Sequence, residues 1–240
     1  MILKTKDFRN KAEIPKDKGN KILAILLFIL SITASQLHAQ DYKPEYHNMS
    51  AGLIGGIDFA QVDGDGYKGY NKMGITGGGV LFMPFGQLEN FPIDATIALS
   101  MEVLFTQKGS KGNDPVPGIL SQNINMQYAE VPFQLNLYRG PRKSGFGMGL
   151  SIGYLAISEE TIVTDQGVSL KNGNPFNKFD LNYVLTANIH LWNGLFLSPK
   201  FQYSLLSVRD NNSMYGGRDQ QFNNVVALRL MYLFKNDSNN

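Results

Sequence analysis

The 240-residue chain carries 22 Lys and Arg against 20 Asp and Glu, and no cysteine. That length suits one large all-β unit or two small domains, and the missing cysteines exclude disulfides, thiolate metal sites and a lipid-modified amino-terminal cysteine. Residues 1–40 hold seven of the basic and three of the acidic side chains, so the remainder has 15 basic and 17 acidic residues and gives no reason to expect nucleic acid as a partner.

In chain order the first feature is an apolar run, ILAILLFILSITA over 22–34, preceded by Lys21 and followed by SQLHAQ. About thirteen residues are too few for a membrane helix, which needs roughly twenty. Residues 1–39 therefore read as a lead plus a secretory signal peptide cleaved after Ala39, with an amino-terminal membrane anchor as the alternative. The basic lead MILKTKDFRNKAEIPKDKGN receives no function. An exported chain with no later apolar run long enough for a helix is periplasmic, secreted, or a barrel in an outer membrane.

Eight segments then alternate apolar and polar residues, the period-two signature of strands with one greasy and one wet face. SAGLIGGIDFAQ and NKMGITGGGVLFM are glycine-rich, with Leu53, Ile57 and Phe59, then Met73, Ile75, Leu81 and Met83, in register. ATIALSMEVLFTQ groups Ile97, Leu99, Met101, Val103 and Phe105; YAEVPFQLNLY groups Ala129, Val131, Phe133, Leu135 and Leu137. GFGMGLSIGYLA sets bulky residues from Phe146 to Tyr154 against glycines and Ser151. FDLNYVLTANIHL puts Phe179, Leu181, Tyr183, Leu185, Ala187, Ile189 and Leu191 on one face, with Val184 the exception on the other. GLFLSPKFQYSLLSV and NVVALRLMYLF repeat the pattern, the last with Arg229 opposite Leu228 and Leu230.

The expected connections are 62–70, 84–94, 107–123, 139–144, 158–178, 193–194 and 208–221, alternating long and short after the first pair. Asn193-Gly194 suits a type I′ hairpin, where both residues take positive φ. An even strand number puts both termini and the short turns at one end, the periplasmic one in an outer-membrane barrel. The polar faces carry Gly, Ser, Thr, Asn and Gln with single charges rather than the Lys and Glu of a water-facing surface. The apolar faces thus look out to lipid, and the fold is an all-β, eight-stranded antiparallel transmembrane β-barrel. Phe105, Tyr138, Tyr232 and Phe234 are expected in interfacial girdles.

The order of signal, glycine-rich first hairpin, the segment from Tyr128 through Glu130 and Pro132 to Leu135, and a last strand running Leu228 to Phe234 resembles the PorT-like outer-membrane β-barrel family of Bacteroidetes. The resemblance covers 48–235, leaving 236–240 as a short polar tail. It implies an outer-membrane location, membrane lipids as surroundings, and a part in protein secretion or gliding with a secretion-system or extracellular protein partner. The last strand also resembles the carboxy-terminal signal read by the barrel-assembly machinery, with Tyr232 and Phe234 as candidate recognition residues.

Ionised groups inside a barrel are costly unless paired. Asp58, Glu102, Glu130, Lys200 and Arg229 are therefore expected to form interior ion pairs, with Glu102 and Glu130 sharing cations and Asp58 beside Arg229. Pro132 removes a ladder donor and should mark a bulge. His190 invites comparison with a catalytic triad but lacks an orienting carboxylate, and no catalytic residue is assigned. Asp63-Gly64-Asp65-Gly66 lacks the later glutamate of a calcium loop and reads as a polar turn; Glu159, Glu160 and Asp165 read as solvated loop residues rather than a cation site. No cofactor or metal is assigned. The functional expectation is a non-enzymatic scaffold presenting loops 107–123, 158–178 and 208–221. A small pore or transporter, a lipid A-modifying enzyme and a secreted soluble barrel are the rivals.

Overall fold

Strict alternation allows these strands only one consistent arrangement, because each must bury its polar face and pair both its backbone edges. The computed structural model describes residues 49–88, 95–116, 119–139, 144–164, 166–170, 175–210 and 220–234. The expected signal peptide at 1–39, the tail at 236–240 and Asp165 lie outside the described residues. The strands are β1 (Ser50–Asp63), β2 (Lys72–Leu88), β3 (Ala95–Val116), β4 (Ile119–Arg139), β5 (Ser144–Thr164), β6 (Gly167–Leu170), β7 (Phe179–Trp192), β8 (Leu195–Ser204), β9 (Arg209–Asp210) and β10 (Gln220–Leu233). Antiparallel pairing runs β1-β2-β3-β4-β5-β7-β8-β10, and β10 returns to β1 from Gly52 opposite Leu233 to Asp63 opposite Phe222. Eight strands thus close a ring, the expected barrel. The short β6 lies along β5, and β9 along β10.

The apolar face of every ring strand looks outward. Phe146 is 74% exposed and Met73 64%, whereas Glu130 and Asp180 are 0% exposed. Val184, the apolar intruder on the polar face of β7, is correspondingly buried at 0%. A soluble barrel would show the reverse. The inner faces need small residues because eight strands curve sharply around a narrow bore. A Cβ at Gly149 would overlap the Phe133 carbonyl, and one at Gly147 the Asn136 carboxamide. The turn Asn193-Gly194 has φ of 38° and 84°, as a type I′ hairpin needs.

Several expectations change. Tyr138 shares the inward parity of Gln134 and Asn136; it packs edge-on against Phe82 at 5.6 Å inside the barrel and is no girdle residue. Pro132 produces no bulge: Met101 opposite Phe133 and Leu104 opposite Glu130 keep one register, and only the rungs between them are missing. Pro199 has the same effect between β7 and β8. The real bulges fall elsewhere. Ala156 is skipped between the pairs Gln127–Ile157 and Tyr128–Leu155, and Phe85 between Pro84 and Gly86.

The expected loop 107–123 is mostly strand. Gln107 pairs with Gln127 and Lys111 with Asn123, and only 117–118 separate β3 from β4. Residues 158–164 likewise continue β5, 167–170 form β6, and 209–210 form β9 inside the expected loop 208–221. A tilted strand crosses the hydrocarbon in about 9–11 residues, so β3, β4 and β5, of 22, 21 and 21 residues, run about twice that far. Their outward faces are apolar up to the row Phe105–Ala129–Tyr154 and mostly polar beyond it. They therefore project past the apolar belt at the end remote from the start of β1.

The Ala156 bulge has a direct consequence. Below it the odd residues of β5 face inward, and above it Glu160 and Ile162 do. Deleting Ala156 would remove the extra residue yet leave Glu160 facing inward, because the pairs Tyr128–Leu155 and Gln127–Ile157 then follow one another in a single register and the Glu160–Arg209 pair is kept. The expected outcome, read from the temperature at which unboiled protein loses its folded electrophoretic mobility, is little change for this deletion, whereas Glu160→Gln, which strands the buried Arg209, should lower stability by about 3–5 kcal/mol.

Candidate functional site

The interior is layered. Near the start of β1 and the β7–β8 turn, Ile54, Phe82, Phe196 and Met231 belong to an apolar floor. Toward the other end Val62, Met126, Tyr128, Leu155 and Phe176 make a second apolar layer. Charged residues lie between and above.

Arg229 donates to Glu102 Oε2 at 2.8 Å and to the Ser198 hydroxyl at 3.0 Å, while Gln134 donates to the other Glu102 oxygen at 3.0 Å. Glu130 pairs with Lys108, lies 4.0 Å from Lys200 Nζ, and accepts from Gln202 at 3.0 Å. Lys108 also reaches Asp180 at 3.1 Å and sits over the Tyr128 ring. Asp180 accepts further bonds from Ser204 at 2.7 Å and Asn223 at 2.9 Å. All these side chains are buried. Stranding one member of such a pair is more damaging than never having the pair, because the remaining charge keeps its full desolvation cost.

The pairing differs from the sequence expectation in two respects. Glu102 and Glu130 do not share a cation: the first has Arg229, the second Lys108 and Lys200. Asp58 does not bond Arg229. It stands opposite Ala227, while Arg229 is opposite Gly56 and turns to the far wall. Both Asp58 carboxylate oxygens lack a hydrogen-bond partner among the described residues, although the side chain is fully buried. Lys108 lies in a segment whose two polar faces imitate a loop, and Asp180, one of the single charges expected on the polar strand faces, has no partner that a single strand reveals.

At the projecting end Arg209 forms a two-pronged pair with Glu160, at 2.9 and 3.1 Å, and lies 3.8 Å above the Phe176 ring. Gln122 and Gln221 complete this cap. Glu160 is therefore no solvated loop residue; Glu159 faces out and Glu160 in, as neighbours on a strand must. Tyr67, from the β1–β2 connection, lies against Gly112, where any Cβ would collide with its ring. In that connection burial pushes the Asp65 carboxyl above its ordinary range, partly offset by the hydrogen bond it accepts from the Tyr67 amide at 2.8 Å.

His190 lies edge-on to Phe196 at 5.1 Å, and its backbone N–H donates to the Ser144 hydroxyl at 3.0 Å. Among the described residues no carboxylate contacts its ring, and no cluster of three or more metal-ligating side chains occurs. Asp63 accepts from Gln61 at 2.6 Å. Tyr232 and Phe234 form an exposed edge-to-face pair at 5.8 Å at the end of β10.

The unpaired carboxylate and the paired ones should respond oppositely to neutralisation. Asp58→Asn is expected to raise the denaturant midpoint of the refolded barrel by relieving part of a burial cost of about 1–3 kcal/mol. Glu102→Gln should lower stability by about 3–5 kcal/mol because Arg229 loses its counter-charge. Equilibrium unfolding in urea, followed by tryptophan fluorescence, checks both.

A solved structure to which the chain is similar is the crystal structure of Ail, the attachment invasion locus protein of Yersinia pestis, at 15% identity over 77% of this chain and 98% of that chain, with a TM-score of 0.42. Curated proteins gave no match. The family model for the outer membrane protein beta-barrel domain matches residues 34–210, most of the chain. With the closed ring, the outward apolar belt and the buried polar interior, this match places the protein: it belongs to the outer membrane protein β-barrel domain family.

Proposed function

We propose that the protein is a non-enzymatic, non-conducting outer-membrane scaffold that holds the projecting part of β3, β4 and β5 outside the cell as an interaction surface, in association with a secretion or gliding system. The observation that carries this reading is the pairing of a filled barrel with a sheet that continues about ten residues beyond its apolar belt. Strand of that length beyond the hydrocarbon does nothing for membrane anchoring, so its ordered hydrogen bonding supports a role in contact with something else. The end bearing β1's start and the Asn193-Gly194 turn is then periplasmic, as the short-turn rule has it.

The filled bore supports a non-conducting reading. The floor, the ion-paired middle and the Arg209–Glu160 cap bury their side chains from solvent, and eight strands leave an interior just wide enough to be filled. Planar-bilayer recordings of the purified chain are expected to show no discrete conductance steps; regular steps would support the pore reading instead.

The orientation has a clean test because the chain has no native cysteine. Asn113→Cys, at the tip of β3, should react with a membrane-impermeant maleimide on intact cells. Reaction only after the outer membrane is broken would place the sheet in the periplasm and end the proposal.

A further inference from the structure

We infer that the outward face of the projecting sheet binds the polar part of a phosphorylated glycolipid of the outer leaflet, with phosphate held by Lys72 and Lys111 and saccharide hydroxyls by the side-chain amides of Asn123, Asn125 and Gln127. The inference rests on the orientation proposed above. Register fixes the surface row by row. Above the apolar row Phe105–Ala129–Tyr154 come Gln107–Gln127–Ile157, then Gly109–Asn125–Glu159, then Lys111–Asn123–Thr161, then Asn113–Ser121–Val163. Successive rows stand two residues apart, about 7 Å along the strand and roughly 5 Å in height at a tilt near 45°. The first rows therefore fall in the headgroup layer that begins where the hydrocarbon ends.

Three features select a glycolipid over water as the occupant. The surface is continuous with the lipid-facing belt, so the molecules whose chains cover Phe105 and Tyr154 bring their headgroups against the rows above. Its chemistry is dominated by neutral amides, each presenting both donors and an acceptor, which match sugar hydroxyls. Among the described residues Gln107, Asn113, Asn125 and Gln127 use none of this capacity on protein partners.

Third, two ammonium groups are brought together with no carboxylate paired to either among the described residues. Lys72 starts on β2, reaches past β3, and donates to Asn123 on β4 at 3.2 Å, beside the pair Lys111–Asn123. The two lysines repel each other, and neither forms an ion pair among the described residues. A phosphate between them turns that repulsion into attraction, as for basic residues at other anionic membrane surfaces. Glu159, the carboxylate of this face, lies on β5 at the opposite edge from Lys72.

The test uses the full mature chain refolded in a zwitterionic amine-oxide detergent and titrated, by thermophoresis of a labelled sample, with purified short-core lipopolysaccharide. Lys72→Ala/Lys111→Ala is expected to weaken binding about tenfold or more, from about 1 kcal/mol for each lost lysine contact. Asn125→Ala/Gln127→Ala should weaken lipopolysaccharide but leave phosphatidylglycerol vesicles unaffected. Lys178→Ala, on an exposed lysine at the start of β7, should change nothing. Heat-modifiable mobility confirms that each variant is folded. Unchanged affinity in the double-lysine variant, or equal affinity of the wild-type chain for phosphatidylglycerol vesicles and for lipopolysaccharide, would overturn the inference. Because binding is read in detergent, its failure is independent of the maleimide result on cells, which bears on orientation alone.

Discussion

A ring of eight strands encloses a bore about one layer of side chains wide, and most of the molecule is a response to that width. Several long inner side chains face a glycine on the next strand, as Glu130 faces Gly153, Gln134 Gly149 and Asn136 Gly147, and this accounts for the bare inner face of β5. A bore so narrow excludes solvent, so its charges must satisfy one another. Arg229 with Glu102, and Lys108 with Asp180, are cross-barrel struts as much as ion pairs, joining strands that are not neighbours in the ring, while Lys108 with Glu130 ties the adjacent β3 and β4. Buried pairs of this kind seldom add much net stability over a well-packed apolar core. What they supply here is a single way of filling the bore, since each cation has few acceptors within reach.

Much of this was legible in the sequence, and the boundary of legibility has a physical origin. Period-two alternation is visible only while the two faces of a strand differ in polarity. In β3 that contrast ends at Phe105; beyond it Gln107, Lys111 and Asn113 face out while Lys108 and Ser110 face in, so both faces are polar and the segment imitates a loop. In β5 the signal fails for another reason, because the extra residue Ala156 shifts the parity and hides Glu160 as an inward residue. The ion-pair partners were harder still. Identity of the charged inner residues could be read from single strands, but partners across the bore depend on the stagger of the whole ring, as Asp58 and Arg229 illustrate by failing to meet. Tyr138 was the avoidable error, since its even number already placed it with Gln134 and Asn136.

The two ends of the barrel have different characters. The floor is apolar and ends in a two-residue turn, whereas the opposite end is roofed by Arg209, Glu160 and Phe176 and continues into ordered sheet. Polar and amphipathic residues at that end keep a long pair of hydrogen-bonded strands rigid in water, where a hairpin of such length alone would be only marginally stable. Rigidity matters for recognition: amides held in rows by strand register lose little freedom on meeting a ligand, so more of the contact energy survives as affinity.

The seam between β1 and β10 carries a lesson about biogenesis. It joins Gly52 to Leu233 and Asp63 to Phe222, residues from opposite extremes of the described strands, whereas the other ring contacts link strands that are near neighbours in sequence. Until that seam zips, the nascent sheet has two raw edges, each a template for indiscriminate strand addition. Closure therefore carries the largest loop entropy of any pairing in the ring, and that cost falls due before any reward. A chain stopped before Gln220 would keep seven strands of the belt but lose Met231 from the floor and the Arg229–Glu102 strut, and would still be a sticky ribbon. The last fourteen-residue strand is what makes the others a finished object.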